Sequence, residues 1–175
     1  MIRMIFWLTL VSMFISCGSR NESDINETTK ELINNEIWNP LIILSREEAK
    51  IVTAKAEKLY KNSDEMSLLV GNVKVDFFGE EGEHISILYS DSAQINEQSN
   101  NLHANGNVLI VSDSGYTLTT NKILWDNRYK MIIAEDSVMF TTTEGDTMYG
   151  VGFESDMDLD QWRIFQIFGV TREGI

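Results

Sequence analysis

The chain has 175 residues, of which 43% are hydrophobic and 23% charged, enough for one folded domain with its own core. It carries 14 Lys and Arg against 27 Asp and Glu, and this net charge of −13 argues against a nucleic-acid-binding protein and against a polybasic lipid-binding surface. The one cysteine, Cys17, excludes an internal disulfide and a zinc site built from cysteines.

The chain begins as a secreted protein does. After a short basic start, residues 4–15 are almost wholly apolar. A helix of that length rises about 18 Å, too short for a hydrocarbon core about 30 Å thick, so the run fits a signal peptide. Ser16 before Cys17 resembles a bacterial lipobox, although Phe14 departs from its usual leucine. We predict a signal peptide over residues 1–16 and a lipidated Cys17; the alternative is a short uncleaved anchor.

Residues 17–44 are rich in Asn, Glu, Ser and Thr, and we predict that they form a polar tether. Within them, residues 25–38 have the pattern of a short helix that forms on contact with another surface. A flexible segment of about 23 residues spans about 25–30 Å. The tether would therefore hold a domain of residues 45–175 outside the cytoplasm and close to a membrane.

From residue 51 onward, apolar and polar residues alternate, which is typical of half-buried strands. The pattern is clearest over residues 73–77, and turn-forming Gly, Asn and Asp separate the alternating segments. Residues 46–60 also have helix propensity. We expect a helix at the start of that segment and a strand over Val52–Tyr60, because the repeat described next requires one.

The strand segments are copies of one another. Residues 102–108 are matched thirty positions later by residues 132–138 and thirty-five positions earlier by residues 67–73, and a shortened copy begins near Gly152. Each unit has strands separated by Asn, Asp or Gly turns. Units of about 30 residues without crossover helices predict stacked antiparallel hairpins with an open edge at each end.

The motif shared by these copies resembles the recurring unit of OstA-type domains in lipopolysaccharide (LPS) transport proteins. It stands here as Val70–Val73, Ala104–Val108 and, in degenerate form, Ala134–Val138. With an N-terminal anchor and one domain, the chain is similar to the LptC family over roughly residues 45–170. Better-known members carry a transmembrane helix where this chain has the predicted lipobox. The resemblance implies an all-β fold, a twisted open β-jellyroll built from repeated antiparallel hairpins.

The repeat register places one apolar face of the strands together. Composition alone favours a closed sandwich core for this face, whereas the resemblance implies an open groove along which the acyl chains of LPS slide. Burial of an acyl chain in such a groove is favourable by about 0.8 kcal/mol of free energy per methylene. The residues on this face are Tyr60, Val73, Val75, Phe77, Ile95, Leu102, Ala104, Val108, Ile110, Ile123, Trp125, Ile132, Val138 and Phe140.

The resemblance also implies two docking edges that add strands to partner proteins. The N-terminal edge, about Val52–Tyr60, would join the periplasmic jellyroll of the inner-membrane ABC transporter that extracts LPS. The C-terminal edge, about residues 163–170, would join an LptA-like bridge; the alternative is a strand buried in its own sheet. The residues that we assign to the two edges are Val52, Ala54, Ala56, Ile164, Gln166 and Phe168.

Residues for catalysis or metal binding are sparse. His84 and His103 have no partner Cys or His nearby in sequence, and we expect both at the surface. Residues 156–160 have the alternating Asp of a calcium loop, but Gln161 replaces its Gly and Ile167 its Glu. There is no P-loop and no G-x-S-x-G motif. We therefore expect no metal, no cofactor and no enzyme, with a glycosidase-type pair of carboxylates as the remaining alternative.

These observations predict a membrane-tethered periplasmic module that receives LPS from the ABC transporter and passes it to the bridge. One alternative is an LptA-like bridge or another OstA-superfamily lipoprotein. A second, from a different class, is a structural β-solenoid lipoprotein with a closed core and no lipid cargo. The function implies an anchor in the inner membrane, whereas Gly18, in place of the Asp of inner-membrane retention signals, points to the outer membrane.

Overall fold

The computed structural model describes residues 36–46, 48–61 and 65–172. The predicted signal peptide, Cys17 and most of the predicted tether lie outside the described residues. Every regular element within those residues is a β-strand. None of the described segments forms a helix long and apolar enough to cross a membrane.

Eleven strands form one antiparallel sheet. From β4 to β11 each strand pairs with the next along the chain, β1 pairs with β4, β2 with β3, and both β3 and β4 pair with β5. The predicted all-β fold, an open jellyroll made of antiparallel hairpins, is confirmed. The strands are β1 (Glu36–Trp38), β2 (Leu41–Arg46), β3 (Ala49–Lys55), β4 (Lys58–Lys61), β5 (Met66–Phe78), β6 (His84–Asn96), β7 (Leu102–Ser112), β8 (Thr117–Asp126), β9 (Met131–Thr141), β10 (Thr147–Ser155) and β11 (Trp162–Thr171).

The helix expected at the start of residues 46–60 is wrong. Ala49–Lys55 forms β3, which pairs with β2 on one side and β5 on the other. Two partner strands satisfy the backbone hydrogen bonds of β3, so pairing overrides the weak helix propensity of this segment. Residues 36–38 and 41–44, which the sequence analysis assigned to the tether, also belong to the sheet.

The long strands kink at their centres, where the repeated Gly-Asn pairs lie. Gly106 and Asn107 in β7 have φ of 79° and 46°, and the registers of β7 with both neighbouring strands shift there. The pair Gly71-Asn72 bends β5 in the same way. A Cβ at Gly106 would collide with the Asp91 carboxylate, so glycine is required by space as well as by φ.

The kinks fold the sheet into two half-sheets that face each other. An extended strand from Leu102 to Ser112 would span about 33 Å. Trp125 pairs with Leu102, and Phe77 lies two strands from Ser112 at the same level, yet the two rings are 5.4 Å apart. The inner faces of the two half-sheets therefore share one core.

The turn between β10 and β11 closes the C-terminal end of this core. Leu159 is fully buried, and the Ser86 hydroxyl donates a hydrogen bond to the Met157 carbonyl at 2.5 Å. The Asp156 carboxylate accepts hydrogen bonds from the backbone N–H of Asp160 and Gln161. The alternating aspartates thus form a capped turn that packs against β6.

Candidate apolar binding site

The structure places most of the predicted groove residues on the inner face. Ile95 is half-buried on that face, and Tyr60 is an exception described below. The predicted lining residues that are buried are Val73, Val75, Phe77, Leu102, Ala104, Val108, Ile110, Ile123, Trp125, Ile132, Val138 and Phe140.

Tyr60 does not face inward. Its side chain is 36% exposed, whereas Leu59 is 7% exposed and pairs with the buried Leu69 of β5. Tyr60 pairs instead with the outward-facing Leu68. The prediction was off by one residue, and because side chains alternate between faces, a slip of one residue exchanges inside for outside.

Much of the inner face is tightly packed. Phe140 contacts Phe153 and Trp162, with ring centroids 5.2 and 4.7 Å apart, and Phe140 and Phe153 are fully buried. Such packing leaves no space for an acyl chain in the half of the core that adjoins β10 and β11. Any free space must lie toward the N-terminal strands.

A cavity of about 450 Å³ lies at the N-terminal end of the sheet. Ile37 and Ile43 in its wall are about half exposed, so it opens at the sheet edge. Most of the wall is apolar, and the sequence analysis missed its β1 and β2 residues because it placed them in the tether. The apolar run of residues 41–44 after Pro40 was the available signal. The lining residues are Ile37, Ile42, Ile43, Leu44, Val52, Ala54, Leu59, Lys61, Ser67, Ile95, Glu97, Asn100, Leu102 and Trp125.

Three polar side chains of the cavity wall, Lys61, Ser67 and Glu97, bind one another. The Ser67 hydroxyl donates a hydrogen bond to the Glu97 carboxylate at 2.6 Å, and the Lys61 ammonium pairs with the same carboxylate at 3.0 Å. The hydrogen bond from Ser67, followed by Lys61, lowers the pKa of Glu97. Glu97 is thus ionised and already compensated.

Trp125 forms the inner wall of the cavity. It is 1% exposed, and its indole Nε1–H has no acceptor among the described residues. A buried donor without an acceptor costs about 1–3 kcal/mol. Trp125 thus places an unsatisfied buried donor in a residue of the cavity wall.

The N-terminal docking edge lies elsewhere than predicted. β3 is an interior strand, and Val52 and Ala54 are buried in the core rather than free to pair. Ala56, just after β3, is half-buried and packs against the same core. The outermost strands are β1 and β2, which present exposed Trp38 and Leu41. The predicted position was wrong because the segment before residue 45 pairs with β3 and covers its edge.

β11 lies at the other end of the described sheet. Among the described strands it pairs only with β10. Phe168 and Gln166 of the predicted set are exposed, whereas Ile164 is buried against the core. Three further apolar side chains, Phe165, Ile167 and Val170, are about half exposed along this strand.

The two histidines lie away from the cavity. His84 Nδ1 lies 2.8 Å from the Asp113 carboxylate and Nε2 lies 3.4 Å from Asp76, between neighbouring strand ends. His103 is exposed on β7. Within the described ranges, no group of three or more His, Cys, Asp or Glu side chains is placed to hold a metal ion.

Comparison of the sequence with known protein families assigns a family to the chain. A family model described as "Lipopolysaccharide-assembly, LptC-related" matches residues 45–166, more than half of the chain. A search of curated proteins gave no match.

Proposed function

The chain belongs to the LptC family, which has a role in periplasmic LPS transport, and on that premise we propose that it receives LPS from an inner-membrane ABC transporter and passes it to an LptA-like bridge. The observation that carries this proposal is the apolar cavity at the open N-terminal edge of the sheet. Its volume of about 450 Å³ lies within the range of small-molecule pockets. Burial of methylenes supplies affinity here without any catalytic group.

The cavity would accept an acyl chain where the transporter docks. Its wall includes Ile42 and Leu44 of β2 and Ile37 of β1, the strands at the N-terminal edge. A partner strand added beside them would continue the apolar surface, since edge pairing extends a sheet. The exposed apolar residues of β11 would pair with the bridge at the opposite edge. Two sheet edges that no other described strand covers thus support a position between two partners.

For an acyl chain to move from one edge of the sheet to the other, the packed half of the core must change its packing. Phe140 and Phe153 fill the space between the half-sheets there. We infer that the half-sheets move apart when a chain passes. The same packing is the observation that favours the second candidate, a structural lipoprotein with a closed core.

Lipidation of Cys17 would tether the domain to a membrane. The cysteine precedes β1 by 18 residues, from Gly18 to Asn35, and a chain of that length reaches at most about 60 Å. This span would keep the N-terminal edge, and with it the cavity mouth, close to the anchoring membrane. Metabolic labelling with a radioactive fatty acid tests the proposal, with Cys17→Ser as the unlabelled control.

Photo-crosslinking in cells tests the cargo. A photoreactive amino acid replaces Ile42 or Leu59 in the cavity wall, and Tyr129, an exposed residue of the β8–β9 turn, is the control. LPS adducts at the two cavity sites and none at Tyr129 are expected. Adducts at Phe140 as well would show that the half-sheets part. If the cavity sites stay unlabelled in a folded, stably produced protein, the carrier is refuted in favour of the closed lipoprotein.

A further inference from the structure

An apolar surface lies on the outer face of the N-terminal strands. Trp38 is 64% exposed, Tyr60 and Leu68 are also exposed, and Val70 is half-buried. Tyr60 pairs with Leu68, while Lys58 pairs with Trp38 on one side and Val70 on the other. Because directly paired side chains lie on the same face of a sheet, these residues form two adjacent rows. We call Trp38, Tyr60, Leu68 and Val70 the aromatic patch.

The charges beside the aromatic patch cancel, although the chain as a whole has a net charge of −13. The Lys58 ammonium lies 4.0 Å from the centroid of the Trp38 ring and pairs with the Glu36 carboxylate at 2.8 Å. β6 continues the same face with uncharged Ser92 and Gln94. This face therefore approaches another surface by burying apolar area rather than by ionic attraction.

The aromatic patch lies where the chain leaves the sheet toward its N-terminus. β1 begins at Glu36, two residues before Trp38. The 18 residues between Cys17 and β1 reach at most about 60 Å, so a lipidated Cys17 keeps this face within reach of the anchoring membrane. The exposed apolar residues of β11, by contrast, lie at the other end of the described sheet.

The side chains of the aromatic patch have the chemistry of a membrane interface. Trp38 and Tyr60 each join an apolar ring to a polar N–H or O–H group, and such residues are enriched where hydrocarbon meets water. Leu68 and Val70 add apolar area beside the two rings. A contiguous exposed apolar patch marks a contact with a protein or a membrane. The position next to the predicted tether favours the membrane.

We propose that the aromatic patch contacts the headgroup region of the membrane to which the chain is tethered. The two rings lie among the lipid headgroups, and Leu68 lies beside them. The contact uses the outer face of β1, β4 and β5 and leaves the backbone edge of β1 available to a partner strand. The inference rests on the proposed membrane tether and not on the LPS cargo. It adds the orientation in which the N-terminal edge meets the membrane.

Quenching of tryptophan fluorescence by brominated phosphatidylcholine tests the contact in the full chain, anchored in phosphatidylcholine vesicles. Trp38→Phe keeps an aromatic ring and removes one fluorophore, so its difference from the unmodified chain reports Trp38 alone. We expect the brominated lipid to reduce the emission of Trp38 by about half. Trp162→Phe is the matched control, because Trp162 lies at the start of β11 and packs against Phe140. That variant should retain the quenching assigned to Trp38.

A second pair of variants tests the apolar area of the patch. Tyr60→Ser combined with Leu68→Ser should reduce the quenching of Trp38 by about twofold or more, because less apolar surface is buried at the interface. Tyr129→Ser, at an exposed position in the β8–β9 turn, should leave the quenching unchanged. Addition of phosphatidylglycerol to the vesicles should not increase the quenching, because Lys58 is already paired. Circular dichroism of each variant confirms that it is folded.

Four results would overturn the inference. The first is equal quenching in Trp38→Phe and the unmodified chain. The second is an equal loss of quenching in Tyr129→Ser and in the Tyr60 and Leu68 double variant. The third is an increase with phosphatidylglycerol, which would indicate ionic attraction. The fourth is protection of Trp38 from aqueous acrylamide that rises with protein concentration, without quenching by brominated lipid; a second copy of the chain would then cover the patch. LPS crosslinking in the cavity is a separate measurement, so the proposed cargo stands or falls independently.

Discussion

The side-chain amide of Asn107 donates a hydrogen bond to the Asp91 carboxylate at 2.8 Å, and this bond joins the kinks of two neighbouring strands. One repeat earlier, Asn72 donates to Glu57 in the same way. The Gly-Asn motif of the sequence repeat thus bends the strand. Its glycine allows a close approach of the neighbouring carboxylate, and its asparagine donates a hydrogen bond to that carboxylate. Without these kinks the two half-sheets would not face each other.

Gly106→Ala should destabilise the fold by about 1–3 kcal/mol, since it adds backbone strain at positive φ and a Cβ that collides with Asp91. Urea unfolding followed by circular dichroism measures the change. Gly82→Ala is the matched control, because Gly82 has a similar φ of 85° but open space around its Cα. If both variants lose the same stability, the collision with Asp91 plays no part.

Leu59→Ala should lower the free energy of unfolding by about 2–3 kcal/mol. This is at the low end for a buried leucine, because Leu59 borders a cavity and so has fewer packing contacts to lose. Tyr60→Ala should cost less than about 1 kcal/mol, because this side chain faces outward. The pair is compared by denaturant midpoints under identical conditions. A larger loss for Tyr60 than for Leu59 would contradict the register of β4 with β5.

The stability of the fold should depend on pH through the carboxylate of Asp76. Burial raises the pKa of Asp76, but Lys74 at 3.1 Å, with Thr53 and His84, holds it below the ordinary value of 3.8. A depressed pKa in the folded state stabilises the fold above pH 3.8, and that contribution is lost as the pH falls through the folded-state pKa. Asp76→Asn should therefore be less stable than the unmodified chain at pH 6.

The difference in stability between Asp76→Asn and the unmodified chain should decrease steadily below pH 3.8. Thermal unfolding between pH 6 and pH 2.5 provides the measurement. Glu81→Gln, in the exposed β5–β6 turn, controls for the general loss of one negative charge. A stability deficit that persists undiminished at pH 2.5 would show that Asp76 acts through packing rather than charge.

Ile167→Lys should prevent pairing of β11 with a bridge protein. The side chain is 53% exposed on an edge strand, and lysine on an edge disfavours addition of a further strand. The folded stability should change by less than about 0.5 kcal/mol, as for other exposed positions. Co-purification of an LptA-like partner from cells reports the pairing. Tyr129→Lys is the control, and equal partner recovery from both variants would contradict docking at β11.

Much of the fold follows from the sequence because its determinants are local. Alternation over Val73, Val75 and Phe77 predicts both a strand and its inner face, since the strand period of two is a property of the backbone. The repeat of about 30 residues, with Gly, Asn and Asp turns between its alternating segments, predicts a regular series of hairpins. Tyr60 was misplaced because Leu59 and Tyr60 are adjacent apolar residues, and alternation alone does not decide which one faces the core.

The tertiary structure decided the features that depend on pairing between strands distant in the sequence. The polar segment before Pro40 led the sequence analysis to assign β1 and β2 to a tether. Both strands form because β3 and β4 offer edges to pair with. The sequence by itself determined an all-β repeat domain with one apolar face, through local alternation and turns. Only the folded sheet decided where that face is packed and where it leaves a cavity, because Ile42, Leu59 and Trp125 meet through strand order rather than through proximity in the chain.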